Sequence, residues 1–266
     1  IAGGAGSVAM GGCCFEDLAN PPSRCEALGD GSFAMGNGCQ ALGNNSVAMG
    51  YWTKAVGDFS FAMGESNGGV GQASSGIAKG LCSFSMGEDC SANGDFSLAF
   101  GHHCRTAEDA SGAVAMGVDC SAGHHGDFAS GVRCIANGSN LSPAIAMGSD
   151  CSANGAGAIS MGLACGSTCS AGNCAIAMGC DSTATVNGSI SIGVYNDATA
   201  QGAVAIGVGC NAAGEDSVAL GGYAVTGGVS DWSIDGLSPT VHFAVGETGA
   251  GNIFTIDTIG NTKVIK

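Results

Sequence analysis

Five-residue segments in which small and large side chains alternate recur along most of the chain, beginning with "SVAMG" at 7–11. The pattern returns as "SFAMG" (32–36), "SVAMG" (46–50), "SFAMG" (60–64), "SFSMG" (83–87) and "SLAFG" (97–101). It continues through segments closing on Gly117, Gly131, Gly148, Gly162, Gly179, Gly193, Gly207 and Gly221, which makes fourteen copies. Eight of the thirteen steps between closing glycines have the same length, fourteen, and the others are that length plus an insertion, so the repeat has a period of fourteen. A second, weaker motif of the form Cys-x-Ala-x-Gly lies between copies, as in "CQALG", "CSANG", "CIANG" and "CNAAG". Alternation with a period of two predicts short strands, and Gly or Asn at the ends predicts tight corners. Two strands per repeat make one rung of a β-solenoid. Fourteen rungs stacked about 4.8 Å apart give a rod of roughly 65 Å.

Within "SVAMG" the strand period puts Val and Met on one face and Ser, Ala and Gly on the other. All nine methionines (Met10, Met35, Met49, Met63, Met86, Met116, Met147, Met161, Met178) occupy one position of the repeat, and Phe100, Ser130, Ile192, Ile206 and Leu220 fill it elsewhere. A plain solenoid would turn this large column inward. The narrow interior of a two-strand rung suits Ser, Ala and Cys better, which leaves the large residues as a continuous apolar stripe outside. Such a stripe is too extensive for a monomer and is buried most simply in a closed cyclic oligomer. The expectation is a trimer whose core takes Met35, Met49, Met63, Met86, Phe100, Met116, Met147, Met161, Met178, Ile192, Ile206 and Leu220.

The segments "NNSVAMG", "CQALG", "GSISIG", "GAVAIG" and "EDSVALG" resemble the head repeats of YadA-like trimeric autotransporter adhesins over about residues 7–221. The resemblance implies a left-handed parallel β-roll that trimerises through large apolar residues. The Cys column departs from the usual pattern of that family, and no neck, coiled-coil stalk or membrane anchor of the family type is visible. The fold class expected is therefore all-β: a left-handed parallel β-roll with fourteen-residue, two-strand rungs, trimeric, followed by a short C-terminal β segment. The roll is assigned to 1–226 and a cap or connector to 227–266. The latter has longer alternating strands around Ile253 to Ile256 and Lys263 to Lys266 about a turn at Gly260-Asn261, and resembles the linking segments of viral and phage fibres.

Composition narrows the function. With 49 glycines, 11% charged residues and 6% aromatics the chain cannot fill a conventional core, while its 45% apolar content argues against disorder. A net charge of −15 with only seven Lys and Arg excludes binding to a phosphate backbone. No apolar run reaches the length of about 18 residues that would suggest membrane insertion. The N-terminus lacks the features of a signal peptide, so the chain reads as mature or trimmed.

Fifteen cysteines suit an oxidising, extracellular setting. Cys25 and Cys39, Cys90 and Cys104, Cys120 and Cys134, and Cys151 and Cys165 are each separated by one uninterrupted repeat. Equivalent Cα atoms about 4.8 Å apart are within bridging range, so these pairs are candidate rung-to-rung disulfides. The alternative is a buried column of small thiols. Cys13, Cys14, Cys82, Cys169, Cys174 and Cys180 lie in or near insertions, and Cys210 falls in the column.

One position before that column stand Asp89, His103, Asp119, Arg133 and Asp150. Alternating signs would remove the repulsion of a like-charged stack, and the ladder reads as a solvated one. A metal site built from His102, His103, His124 and His125 is not expected, because the two pairs fall at opposite turns of their rungs. No calcium-solenoid signature, nucleophile elbow or phosphate loop is present, so neither catalysis nor a cofactor is expected. Sequons occur at Asn44, Asn137, Asn140 and Asn187.

The functional expectation is an extracellular trimeric fibre or adhesin head at a cell or virion surface, attaching to a host protein, glycan or matrix. Its binding site would lie on the insertions near 12–25, 65–80, 102–110, 135–143 and 163–175. The alternative is a purely structural filament or viral or phage fibre component.

Overall fold

The computed structural model describes residues 1–11, 24–65, 76–139, 141–168 and 174–226, with further strands at Trp232–Ile234, Ile253–Ile256 and Thr262–Ile265. Two parallel sheets form the roll. The first has 15 strands, from Val8–Met10 to Trp232–Ile234, and is built from the alternating five-residue segments. The second has 14 shorter strands, from Glu26–Ala27 to Val225–Thr226. The first sheet thus continues one strand past residue 226. Ile253–Ile256 pairs antiparallel with Thr262–Ile265, and the rest of 227–266 lies outside the described residues. Among the described residues no helix is long and apolar enough to cross a membrane.

Each strand pairs with the one a rung away, in register. Leu98 faces Val114, Phe100 faces Met116 and Gly101 faces Gly117, although an insertion lengthens the step between these rungs. A slip by one residue would send every Ala outward and every Met inward, so the extra residues are expelled at the corners instead.

Size decides which face is inside. Ala34, Ala48, Ala62, Ala99 and Ala115 are fully buried, whereas Met35 is 37% exposed and Phe100 42%. The interior is a stack of Ala, Ser, Thr and Cys, and the methionine column lies on the outside of the first sheet.

Both corners of a rung use left-handed backbone. The residue two past the closing glycine has φ near +50° in Asp89, His103, Asp119, Arg133 and Asp150, and the opposite corner does the same at Asn45, Phe59 and Phe96. Left-handed φ costs L-residues roughly 1–2 kcal/mol each, and the stack tolerates it because every rung closes the same way. The closing glycines are more constrained. Gly117 has φ +118°, and a Cβ there would lie 2.0 Å from the carbonyl oxygen of Gly131 on the next rung.

Candidate functional site

The two outer faces differ in chemistry. On the 15-stranded sheet, Met35, Met49, Met63, Met86, Phe100 and Met116 are successive register partners. After Ser130 the column continues through Met147, Met161, Met178, Ile192, Ile206 and Leu220. A parallel column of Val, Leu, Ile and Phe flanks it, with Phe61 and Phe84 stacked at 4.9 Å. The structure thus gathers every expected trimer-core residue into one apolar stripe.

The short-strand sheet turns outward a mixed, largely polar set. Gln40, Lys54, Ile77, Ser91 and Arg105 follow one another up this sheet, with Ile77 and Ser91 buried and the longer polar side chains of the set reaching solvent. With Lys79 they line a groove of about 500 Å³. Three of the chain's seven Lys and Arg residues therefore meet on one stretch of a strongly acidic protein. Lys79 forms an ion pair with Glu108 at the groove's edge.

The disulfide expectation is corrected. Cys25, Cys39, Cys90, Cys104, Cys120, Cys134, Cys151 and Cys165 do stack as one buried column with Cys210, but all are free thiols. Cα spacing was the wrong criterion. In a parallel, in-register stack equivalent Cβ vectors are themselves parallel, so the Cβ atoms stay about 4.8 Å apart, whereas a disulfide needs them at about 3.8 Å.

The thiols have another task. Cys39, Cys104, Cys120, Cys134, Cys151 and Cys210 each donate to the carbonyl oxygen of the next closing glycine, at 3.1–3.3 Å. The bond persists at two rungs where the column holds another residue, from Ser182 to Gly193 at 3.1 Å and from Asn196 to Gly207 at 2.8 Å, whereas the Thr53 hydroxyl donates to Cys39 Sγ at 3.3 Å. Burial pushes the Cys134 thiol up to about 11 and raises those of Cys25 and Cys165. Of the cysteines expected in or near insertions, Cys82 and Cys174 are exposed and Cys180 is half-buried, all as free thiols; Cys13, Cys14 and Cys169 lie outside the described residues.

The charge ladder is assembled as its alternation suggests. His103 bridges two rungs, with Nε2 3.3 Å from Asp89 Oδ2 and Nδ1 3.2 Å from Asp119 Oδ1. Arg133 grips Asp150 through Nε at 2.5 Å and Nη2 at 2.7 Å. That pairing holds the Asp150 carboxyl below the usual carboxylate range. His102 lies beside His103, ring centroids 3.9 Å apart, with its Nε2 3.5 Å from Glu88. The other pair sits at the opposite corner, where the His125 Nδ1 accepts from the Ser111 amide at 2.9 Å. The register separates the two pairs as the sequence indicates, but it did not reveal that Asp119 closes on the first pair.

Two of the five insertions expected to bind are largely described. Residues 102–110 pass the His pair and reach Glu108 at the groove. The 135–143 insertion is anchored by Asp127, a fully buried carboxylate that accepts from the amides of His124 (2.8 Å), Gly138 (3.0 Å) and Ala144 (2.7 Å). This anchor escaped the sequence because Asp127 merely replaces Ser in a repeat position. The insertions at 12–25, 65–80 and 163–175 fall largely outside the described residues.

No curated protein matches the chain. The stacked rungs, with small residues inside and a large apolar column outside, nonetheless have a family counterpart: residues 41–64 and 198–224 each match the YadA head domain repeat.

Proposed function

We propose that the protein is the extracellular head of a trimeric adhesin, a rigid rod that attaches to a host protein, glycan or matrix through its polar sheet and its corners. The observation that carries this is the division of labour between faces. One sheet offers a long apolar column suited to copies of itself around an axis, while the other keeps a polar, partly basic surface for a receptor. The YadA-type repeats support the same reading. The sequence holds no nucleophile elbow or phosphate loop, in keeping with a binding scaffold and not an enzyme.

The test has two parts. Sedimentation equilibrium of the purified chain should give three times its monomer mass, and Met116→Glu, a charge in the middle of the column, should give monomers. Trimers should bind cultured cell layers, and excising residues 140–142, which restores the fourteen-residue step, or neutralising Lys54 and Arg105 should reduce that binding. A wild-type monomer at micromolar concentration would overturn the trimer. Trimers that bind no cell layer and only polymerise end to end would overturn the adhesin in favour of a structural filament, a reading that the in-register stacking favours.

A further inference from the structure

We propose that His102, His103 and Asp119 form a binding site for a divalent transition-metal ion of borderline softness, of the class of Zn²⁺, Ni²⁺ and Cu²⁺. In a continuous strand, neighbouring residues point to opposite faces, and a His-His pair could not converge on one ion. Here the strand ends at His102, and His103 occupies the left-handed corner with φ +53°. The turn brings the second ring round beside the first, at 3.9 Å between centroids. Asp119 occupies the equivalent corner one rung on, and one ligand atom from each of the three residues lies within 4.8 Å of the others.

The surroundings favour a cation. Glu88 and Asp89, on the rung before, lie 3.5 Å from His102 and 3.3 Å from His103, so three carboxylates surround two imidazoles. At the next step of the ladder the equivalent role is filled by a permanent cation, Arg133 between Asp119 and Asp150. At His103 no permanent charge is supplied. Two protons on rings in contact would repel each other, whereas one divalent ion shared by two neutral imidazoles and a carboxylate neutralises the cluster without that cost. The buried His102 Nδ1 has no hydrogen-bond partner, which leaves a nitrogen lone pair available.

Two nitrogens and one oxygen select against Ca²⁺ and Mg²⁺, which require mostly oxygen ligands. Zinc at about 2.0 Å from each atom would need the ligand atoms roughly 3.3 Å apart. The His102, His103 and Asp119 side chains are 39%, 49% and 49% exposed, which leaves them room to turn toward that spacing.

The test is a Zn²⁺ titration of the full chain after native alkylation of its exposed thiols, followed by calorimetry and by the imidazole ring resonances. One equivalent per chain should bind, shifting the His102 and His103 rings and leaving His124 and His125 in place. His102→Val installs the residue found one rung on, and His103→Asn keeps a side chain that tolerates left-handed φ, so both should fold. Each should weaken binding at least tenfold, while Glu215→Gln, at an exposed position many rungs away, should leave it unchanged. Unshifted His102 and His103 rings would overturn the site. So would equal affinity in the wild type and the two His variants, which would indicate diffuse counter-ion binding to an acidic surface. Neither outcome bears on whether the rod is an adhesin.

Discussion

The carbonyl oxygen of Gly117 occupies the space that a Cβ on Gly101 would need, only 2.0 Å from that position, and accepts a hydrogen bond from the Cys104 thiol at 3.2 Å. One carbonyl thereby explains two columns of the repeat. The closing residue must be glycine because the next rung's carbonyl leans into it, and at most rungs the residue three positions on is a donor, Cys, Ser or Asn, that reaches that carbonyl.

Gly117→Ala should be among the most damaging single changes in the roll. Its Cβ would meet the Gly131 carbonyl at 2.0 Å, and backbone on both sides leaves no side chain to move aside. A loss of roughly 4 kcal/mol or more is expected. Gly112 also has positive φ, +68°, but nothing lies within 4 Å of its missing Cβ. Gly112→Ala should cost only the left-handed penalty of about 1 kcal/mol. Paired thermal melts check this, and equal losses would contradict the steric account.

Cys134→Ser should be nearly neutral, because Ser182 already makes the same bond in the same column. Cys134→Ala leaves the Gly148 carbonyl without its side-chain donor and should cost about 1–2 kcal/mol. Neither melt, nor that of the wild type, should respond to a thiol reductant. A reductant-dependent drop in the melting temperature that vanishes in Cys120→Ser with Cys134→Ser would revive a bridge between those two.

Native alkylation followed by peptide mass mapping should label Cys82, Cys174 and Cys180 among the described cysteines and spare the nine buried ones. The same burial predicts alkaline weakness. The unfolded thiol ionises near 8.5 and the folded Cys134 only near 11, so above about pH 8.5 the unfolded chain binds fewer protons than the folded one. The Cys134 contribution to stability should therefore fall as pH rises through that window. Denaturation midpoints that stay constant from pH 8 to 11 would refute this.

Asp150 carries the opposite dependence. Arg133 holds its carboxyl low, so its contribution is present above the ordinary carboxylate pKa and is lost as pH falls through the depressed folded value. Carboxyl-carbon NMR should show the Asp150 midpoint below that of an unpaired Asp in the wild type, and Arg133→Ala should return it toward about 3.9. Both groups are solvent-exposed, so the melting temperature at neutral pH should barely move.

Much of the fold was legible beforehand because a solenoid turns sequence spacing directly into spatial spacing. Residues one repeat apart are neighbours, so the columns of Met, Ala, Ser and Cys could be written down from the repeat. The alternation of large and small within "SVAMG" settled which column is buried, since a two-strand rung has room only for small side chains.

Direction was not legible. That Cys90 and Cys104 stack followed from spacing; that their Cβ vectors run parallel, so that the thiols hydrogen-bond to one another and to carbonyls without joining in a disulfide, depends on the three-dimensional orientation of the rung. His102 and His103 make the same point at a corner. The repeat located them, but only the left-handed backbone at a non-glycine residue swings the rings together and sets them against Asp119, across a step lengthened by an insertion. Spacing along the chain determined who is stacked on whom, and the twist of the corners decided which atoms face each other, because that twist is imposed by the stacked neighbours and is not written in any one residue.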